Sequence, residues 1–187
     1  MIYSRIDILE AVKRGWLVIE PFDERLLKPN AIAFRLDSKI AVPKGGLVDL
    51  KTDFSKFFEE KRIDENGFLL KSGQFILART YEKIALNNRL AMFIEGRSTL
   101  ARLGISVTQT AMTVEAGHGF LAEKRARPRK IVLEIKNDGP FDFILKPKMR
   151  IAKGIIVELK TPSDIYYDAY GKYAREALED TLWPRPD

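Results

Sequence analysis

The chain has 187 residues, 45% hydrophobic and 31% charged, with a formal net charge of +6, a single histidine and no cysteine. These are globular proportions, not those of a disordered chain, and one domain spanning residues 1–187 is long enough to bury a sizeable core. Disulfides are excluded, no apolar run approaches the ~18 residues of a membrane-spanning helix, and the basic surface attracts anions without choosing among nucleotides, nucleic acid and anionic lipid.

The first residues, Met1 to Asp7, lack a basic segment followed by an apolar one, so no signal peptide is expected. With the missing cysteines, this fits a cytoplasmic protein. Ser4 and Asp7 form a capping-box pattern, Ile8, Leu9 and Val12 follow at helical spacing, and Gly15 closes the element. Trp16 to Glu20 reads as a strand ended by Pro21, with Trp16 a core or subunit-contact residue. Short strands are predicted at Ala31–Leu36, Lys39–Val42 and Leu47–Leu50, and Phe54–Glu65 as a loop or irregular helix. Phe68–Leu70 and Phe75–Ala78 read as two strands around a tight turn. Such spacing argues for an all-β barrel or sandwich.

A strand at Leu90–Ile94 leads into Glu95-Gly96-Arg97-Ser98-Thr99-Leu100-Ala101-Arg102-Leu103-Gly104. Gly96 permits a sharp turn, Ser98 is a candidate helix cap and Gly104 a stop. Ser98 and Arg102, four apart, share one face, while Leu100 and Leu103 pack inward. Backbone N–H groups, a hydroxyl and two guanidinium groups at a helix start suit a polyphosphate. An ordinary strand–turn–helix with surface arginines has the same spacing, and the Walker pattern is absent.

Further on, Ile105–Ala111 reads as a strand, and Glu115, taken alone, as a solvated turn residue. His118 is the sole histidine, so a zinc site of the His/Cys kind used by zinc-dependent nucleobase deaminases cannot be assembled. The basic run Glu123–Lys130 fits a solvated hairpin tip, a phosphate-capturing arm or a nucleic-acid contact. In Ile131–Lys136 strand alternation puts Ile131, Leu133 and Ile135 on one side and Val132, Glu134 and Lys136 on the other. Read alone, Glu134 belongs to a wet strand face. Strands follow at Phe141–Leu145 and Ile155–Leu159, then an amphipathic helix running to Leu182.

Glu95–Gly104 and the run Val132-Leu133-Glu134 resemble the motifs of the dCTP deaminases, a branch of the trimeric dUTPase superfamily. That resemblance implies a mainly β, dUTPase-like distorted β-barrel or jelly roll with short N-terminal and C-terminal helices. It also implies a homotrimer, or a hexamer made as a dimer of trimers, with sites between subunits. The activity implied is zinc-independent hydrolytic deamination of dCTP to dUTP and ammonia. Glu134 would then be the proton carrier. Ser98, with a backbone carbonyl near Ala111, would hold the attacking water, and Arg102 would orient Glu134. Arg97, Ser98 and Thr99 would bind phosphates with Lys172, magnesium arriving on the triphosphate rather than on protein ligands. Val132 and Leu133 flank the nucleotide, and Glu115 meets the sugar 3′-hydroxyl. Tyr166, with Tyr167 close behind, matches the first tyrosine of the family's closing arm, and Glu176 stands at a position where relatives carry Gln. Ala33, Glu115 and Glu176 depart from the family pattern. With the basic run Glu123–Lys130 they keep open a non-catalytic nucleotide-binding homologue; a dUTPase or a bifunctional deaminase and diphosphatase is the nearest alternative, and Glu115, one methylene longer than the Asp of the dUTPase relatives, counts against it. Neither a membrane nor a nucleic-acid partner is expected.

Overall fold

The computed structural model describes residues 1–120, 126–171 and 181–186. Helix α1 (Arg5–Lys13) starts where predicted: Ser4 N donates to the Asp7 carboxylate at 2.9 Å and Asp7 N donates back to the Ser4 hydroxyl at 3.4 Å. In chain order the strands are β1 (Leu17–Glu20), β2 (Leu27–Lys28), β3 (Ala31–Arg35), β4 (Lys39–Pro43), β5 (Phe58–Arg62), β6 (Phe68–Leu70), β7 (Phe75–Leu86), β8 (Leu90–Gly96), β9 (Ile105–Ser106), β10 (Thr113–Val114), β11 (Arg129–Asn137), β12 (Phe143–Leu145) and β13 (Arg150–Glu158). One-turn helices α2 (Ser98–Ala101) and α3 (Tyr167–Tyr170) complete the described elements.

Among the described residues the strands form two main antiparallel sheets. One runs β10-β8-β13-β3-β2; the other runs β5-β4-β7-β11-β9, with β1 also paired to β7. Fully buried Phe34, Met92 and Ile156 of the first sheet and Ile76, Leu133 and Ile135 of the second share one apolar core. Neither sheet closes on itself. The mainly β, jelly-roll-like architecture with short helices near both ends is the one expected from the sequence, laid out as two open layers among the described residues.

Several local expectations are corrected. Leu47–Leu50 forms no strand; Leu47 is 96% exposed and finds no apolar face to join. The charged stretch after Phe54 holds a 3-10 turn and then β5, whose exposed charges suit an outer strand paired, among the described residues, with β4 alone. The two strands expected around the Lys71–Gln74 turn are present as β6 and the start of β7; β6 joins β12, and β7 enters the large sheet. The strand predicted over Ile105–Ala111 shrinks to β9. Thr181 and Leu182 are not helical, and the preceding part of the predicted C-terminal helix lies outside the described residues.

Candidate active site

Strand β11 supplies the candidate base. Its alternation holds in the half carrying Glu134: Leu133 and Ile135 are fully buried in the core, while Val132 and Glu134 face away from it. On β7, Leu77 stands opposite Glu134 and Arg79 opposite Val132. A register shift between Lys130 and Val132 breaks the period, and Ile131 consequently lines the same cavity as Val132 and Glu134.

That cavity has a volume of about 570 Å³. Around Glu134 its wall is apolar, built from Phe75 and Leu77 of β7, Phe58 of β5, and the returning C-terminal residues Leu182 and Trp183. Trp183 stacks on Phe58 with ring centroids 6.3 Å apart, and Leu182 is buried beside Ala41 and Leu77. The Glu134 carboxyl is thus half-buried, and its Oε2 is sealed from solvent without a hydrogen-bond partner. Burial raises its pKa above the usual carboxylate value, and this outweighs the opposing pull of the Glu134 and Gln109 backbone N–H groups. A carboxyl so placed both takes up and releases a proton closer to neutrality than a solvated one.

The cations of the cavity are already paired. Arg79 Nε and Lys130 Nζ both donate to Asp37 Oδ2, at 2.6 and 2.8 Å. Burial alone would raise the Asp37 carboxyl; the two cations overturn that and hold it below its usual value. Arg129 is paired with the buried carboxylate of Asp168, which also accepts from Gly119 N at 3.0 Å.

At the end opposite the apolar wall, the turn Glu115–His118 meets the start of α3. Tyr167 N donates to the Ala116 carbonyl at 3.0 Å, and a Cβ on Gly117, at φ +83°, would lie 2.6 Å from the Tyr166 Cα. Glycine is what lets the two segments touch. Glu115, His118 and Tyr167 all line the cavity there.

Of the predicted site residues, Ala111, Glu115, Val132 and Glu134 line the cavity. The Leu133 side chain lies wholly in the core, leaving only its backbone for any ligand. Tyr167, not Tyr166, is the tyrosine at the wall. Arg97, Ser98, Thr99 and Arg102 stand outside this cavity on and around α2, where Ser98, Thr99 and Arg102 are exposed. Arg97 is the helix cap position and Ser98 the first helical residue, so the expected Ser98 cap is not made. Leu100 is buried and Leu103 packs on the core as predicted. Gly104, at φ +80°, stops the element against Gly139, whose backbone would be 2.5 Å from an added Cβ. The Arg97 guanidinium donates to the Arg150 carbonyl at 2.9 Å. Lys172 and Glu176 lie outside the described residues. His118, Arg79, Arg129 and Trp183 were not singled out as site residues from the sequence. His118 carried a signal as the one histidine of the chain, and Arg129 as part of the basic run Glu123–Lys130. No three His, Asp or Glu side chains gather as a metal centre would need among the described residues.

A family profile described as dCTP deaminase-like matches residues 2–158. The dCTP deaminase of Haloarcula marismortui is 34% identical over 177 residues, covering 90% of this chain and 86% of that protein. A relative named dCTP deaminase, dUMP-forming, from Methanothermobacter thermautotrophicus, is 30% identical over 174 residues, covering 89% and 83%. Among solved structures, the 2′-deoxycytidine 5′-triphosphate deaminase of Agrobacterium tumefaciens superposes with a TM-score of 0.63 at 19% identity, a likeness of fold. It covers 85% of this chain, which spans about half (49%) of that longer one.

Proposed function

The chain belongs to the dCTP deaminase-like family, and from that membership we propose that it hydrolyses dCTP to dUTP and ammonia with Glu134 as the proton carrier. The observation that carries this reading is the half-buried Glu134 carboxyl, one oxygen sealed and unpartnered, on the wall of a nucleotide-sized cavity.

In the reaction Glu134 removes a proton from water as the water oxygen bonds to C4 of cytosine. The proton passes to the 4-amino group, the C4–N bond breaks, and ammonia leaves. The remaining hydroxyl proton ends on N3 and C4 becomes the carbonyl of uracil. The apolar wall excludes competing water and keeps the carboxyl's affinity for protons high. Ser98 positions the water and Arg102 steadies the charge that develops as C4 becomes tetrahedral. Arg97, Ser98, Thr99 and Lys172 hold the phosphates. Magnesium, brought with the triphosphate rather than held by protein side chains, would supply charge neutralisation there.

Ser98 and Arg102 lie outside the Glu134 cavity of their own chain, which supports a site shared between copies, as in a homotrimer. A cytoplasmic location accompanies this reading. No helix among the described residues is long and apolar enough to cross a membrane.

The test is Glu134→Gln: ammonia release from dCTP falls by about 10²-fold or more while nucleotide still binds. Undiminished turnover removes Glu134 from its role. A second reading, in which dUTP is carried on to dUMP, is favoured by the dUMP-forming names of the relatives from M. thermautotrophicus and Nanoarchaeum equitans. Release of pyrophosphate alongside ammonia separates the two.

A further inference from the structure

Between the partners of Lys130 and Val132, strand β7 carries three residues, Thr80, Tyr81 and Glu82, where β11 carries only Ile131. The long strand therefore bulges beside the cavity wall that holds Glu134. One side chain closes the excess. The Thr80 hydroxyl donates to the Glu82 carbonyl at 2.7 Å, spanning the bulge. It also accepts the Ile131 N–H at 3.0 Å, taking the place of the carbonyl that an unbroken ladder supplies. Thr80 is fully buried, so it acts only through the strands. The flanks are held as well. Asp37 N donates to the Arg79 carbonyl at 2.9 Å, and the fully buried Glu82 carboxylate accepts Arg35 N at 2.8 Å together with the Arg35 guanidinium.

What the bulge decides is the partner of Glu134. Lys130 stands opposite Lys83. Carried on without a bulge, that register puts Val132 opposite Tyr81 and Glu134 opposite Arg79. The observed register puts Val132 opposite Arg79 and Glu134 opposite Leu77. A displacement of two positions leaves the same side chains facing the cavity, because the strand period is two. It changes only what they face. Side chains directly opposite in an antiparallel pair have Cβ atoms about 4.5–5.5 Å apart, so the unbulged register sets a guanidinium against the carboxyl. An opposite charge at that range lowers a carboxyl's proton affinity. The bulged register sets the carboxyl against Leu77 of the apolar wall, where burial raises that affinity instead.

Resting on the catalytic reading above, we propose that Thr80 is a positioning residue for Glu134: its hydroxyl latches the β7 bulge, and the latched bulge keeps Arg79 two positions along the strand from the place opposite the proton carrier.

The test follows Glu134 directly, by titrating the side-chain carboxyls of protein labelled with ¹³C at glutamate Cδ. The Glu134 resonance is the one lost in Glu134→Gln. Thr80→Val removes the hydroxyl and keeps the branched shape. It is expected to increase the acid dissociation constant of Glu134 about tenfold or more, and to move the acid limb of kcat/KM for dCTP to lower pH by the same factor. Thr80→Ser keeps the hydroxyl and is expected to stay within twofold of the unaltered protein in both. Adding Arg79→Met to Thr80→Val is expected to recover most of the change, since the guanidinium is what the slipped strand brings opposite the carboxyl. A role confined to stability lowers Tm and moves neither titration. An unchanged Glu134 titration in folded Thr80→Val therefore overturns the proposal, and so does a change that Arg79→Met fails to recover. Should Thr80→Val not fold, Thr80→Cys, whose thiol is a weak acceptor, is judged by the same criteria. If Glu134→Gln still turns over dCTP, the catalytic reading fails, while the carboxyl titration decides on Thr80 regardless.

Discussion

If Ser98 and Arg102 of one copy complete the Glu134 cavity of another, two inactive variants should rescue each other. Glu134→Gln removes the proton carrier from the cavity, and Arg102→Ala removes an exposed guanidinium from α2. The exposed position makes a folding defect from the second change small, within about 0.5 kcal/mol. Each variant alone has no intact site. In a trimer assembled at random from both, a working site needs its Glu134 from an Arg102→Ala chain and its Arg102 from a Glu134→Gln chain. At equal amounts each condition holds half the time, so about a quarter of the sites are intact in a cyclic assembly with heterologous contacts. At mole fraction p the recovered activity follows p(1 − p), a parabola centred on equal mixing. The assay is co-refolding or co-expression at several ratios, followed by ammonia release from dCTP. A site contained in one chain gives no recovery at any ratio, and that flat line would sink the shared-site argument whatever the oligomeric state.

The raised Glu134 pKa has two consequences with definite signs. A base must be ionised, so kcat/KM falls on the acid side with a midpoint above the ordinary carboxyl value of 4.5. The folded state also holds that proton more tightly than the unfolded chain, so this carboxyl's cost to stability develops as pH rises from the ordinary value through the raised one. Glu134→Gln removes the cost: at pH 7 its Tm should equal or exceed that of the unaltered protein although activity is lost, and a clear drop in Tm contradicts the burial argument. Trp183→Ala strips the ring stacked on Phe58 and admits water beside Glu134. The acid limb of the pH profile should move to lower pH, with Trp183→Phe restoring it; an unmoved limb means that the C-terminal wall does not desolvate the carboxyl.

The residues that declared themselves in the sequence are those whose role is local. The capping box at Ser4 and Asp7, the inward Leu100 and the alternation of Leu133 and Ile135 each depend on neighbours a few positions away, and all are found as read. Glu134 was legible as a mid-strand carboxylate but ambiguous between wet face and site. The family likeness favours the site reading, and the apolar wall around the carboxyl agrees with it. That wall was illegible because Phe58, Leu77 and Trp183 come together only through sheet order and a returning tail. His118 failed for the same reason: nothing near it in the chain foretells that Asp168, Tyr167 and Leu86 clamp its turn. Leu47–Leu50 shows the opposite failure, a strand-like apolar run with no sheet edge to accept it.

The charge pattern argues independently for a site completed from elsewhere. A nucleoside triphosphate brings several negative charges, yet inside the cavity each cation is already held by a carboxylate of its own chain. Arg79 and Lys130 share Asp37, and Arg129 is held by Asp168. These pairs are largely buried, and losing one partner leaves an uncompensated charge at a cost of about 3–5 kcal/mol. A phosphate cannot claim those cations cheaply. The cavity is therefore suited to the uncharged base and sugar, and the phosphates must find their partners at its rim. The exposed Arg102, with Arg97, Ser98 and Thr99 at the start of α2, has that character, and it lies outside the cavity of its own chain. On the proposed shared site, a chamber whose cations are already engaged carries Glu134 and a cationic corner carries Arg102, and binding energy for the triphosphate would be realised when the two meet. Affinity for dCTP should consequently fall with salt and with dissociation into single chains, whereas deoxycytidine, which lacks the phosphates, should show neither dependence.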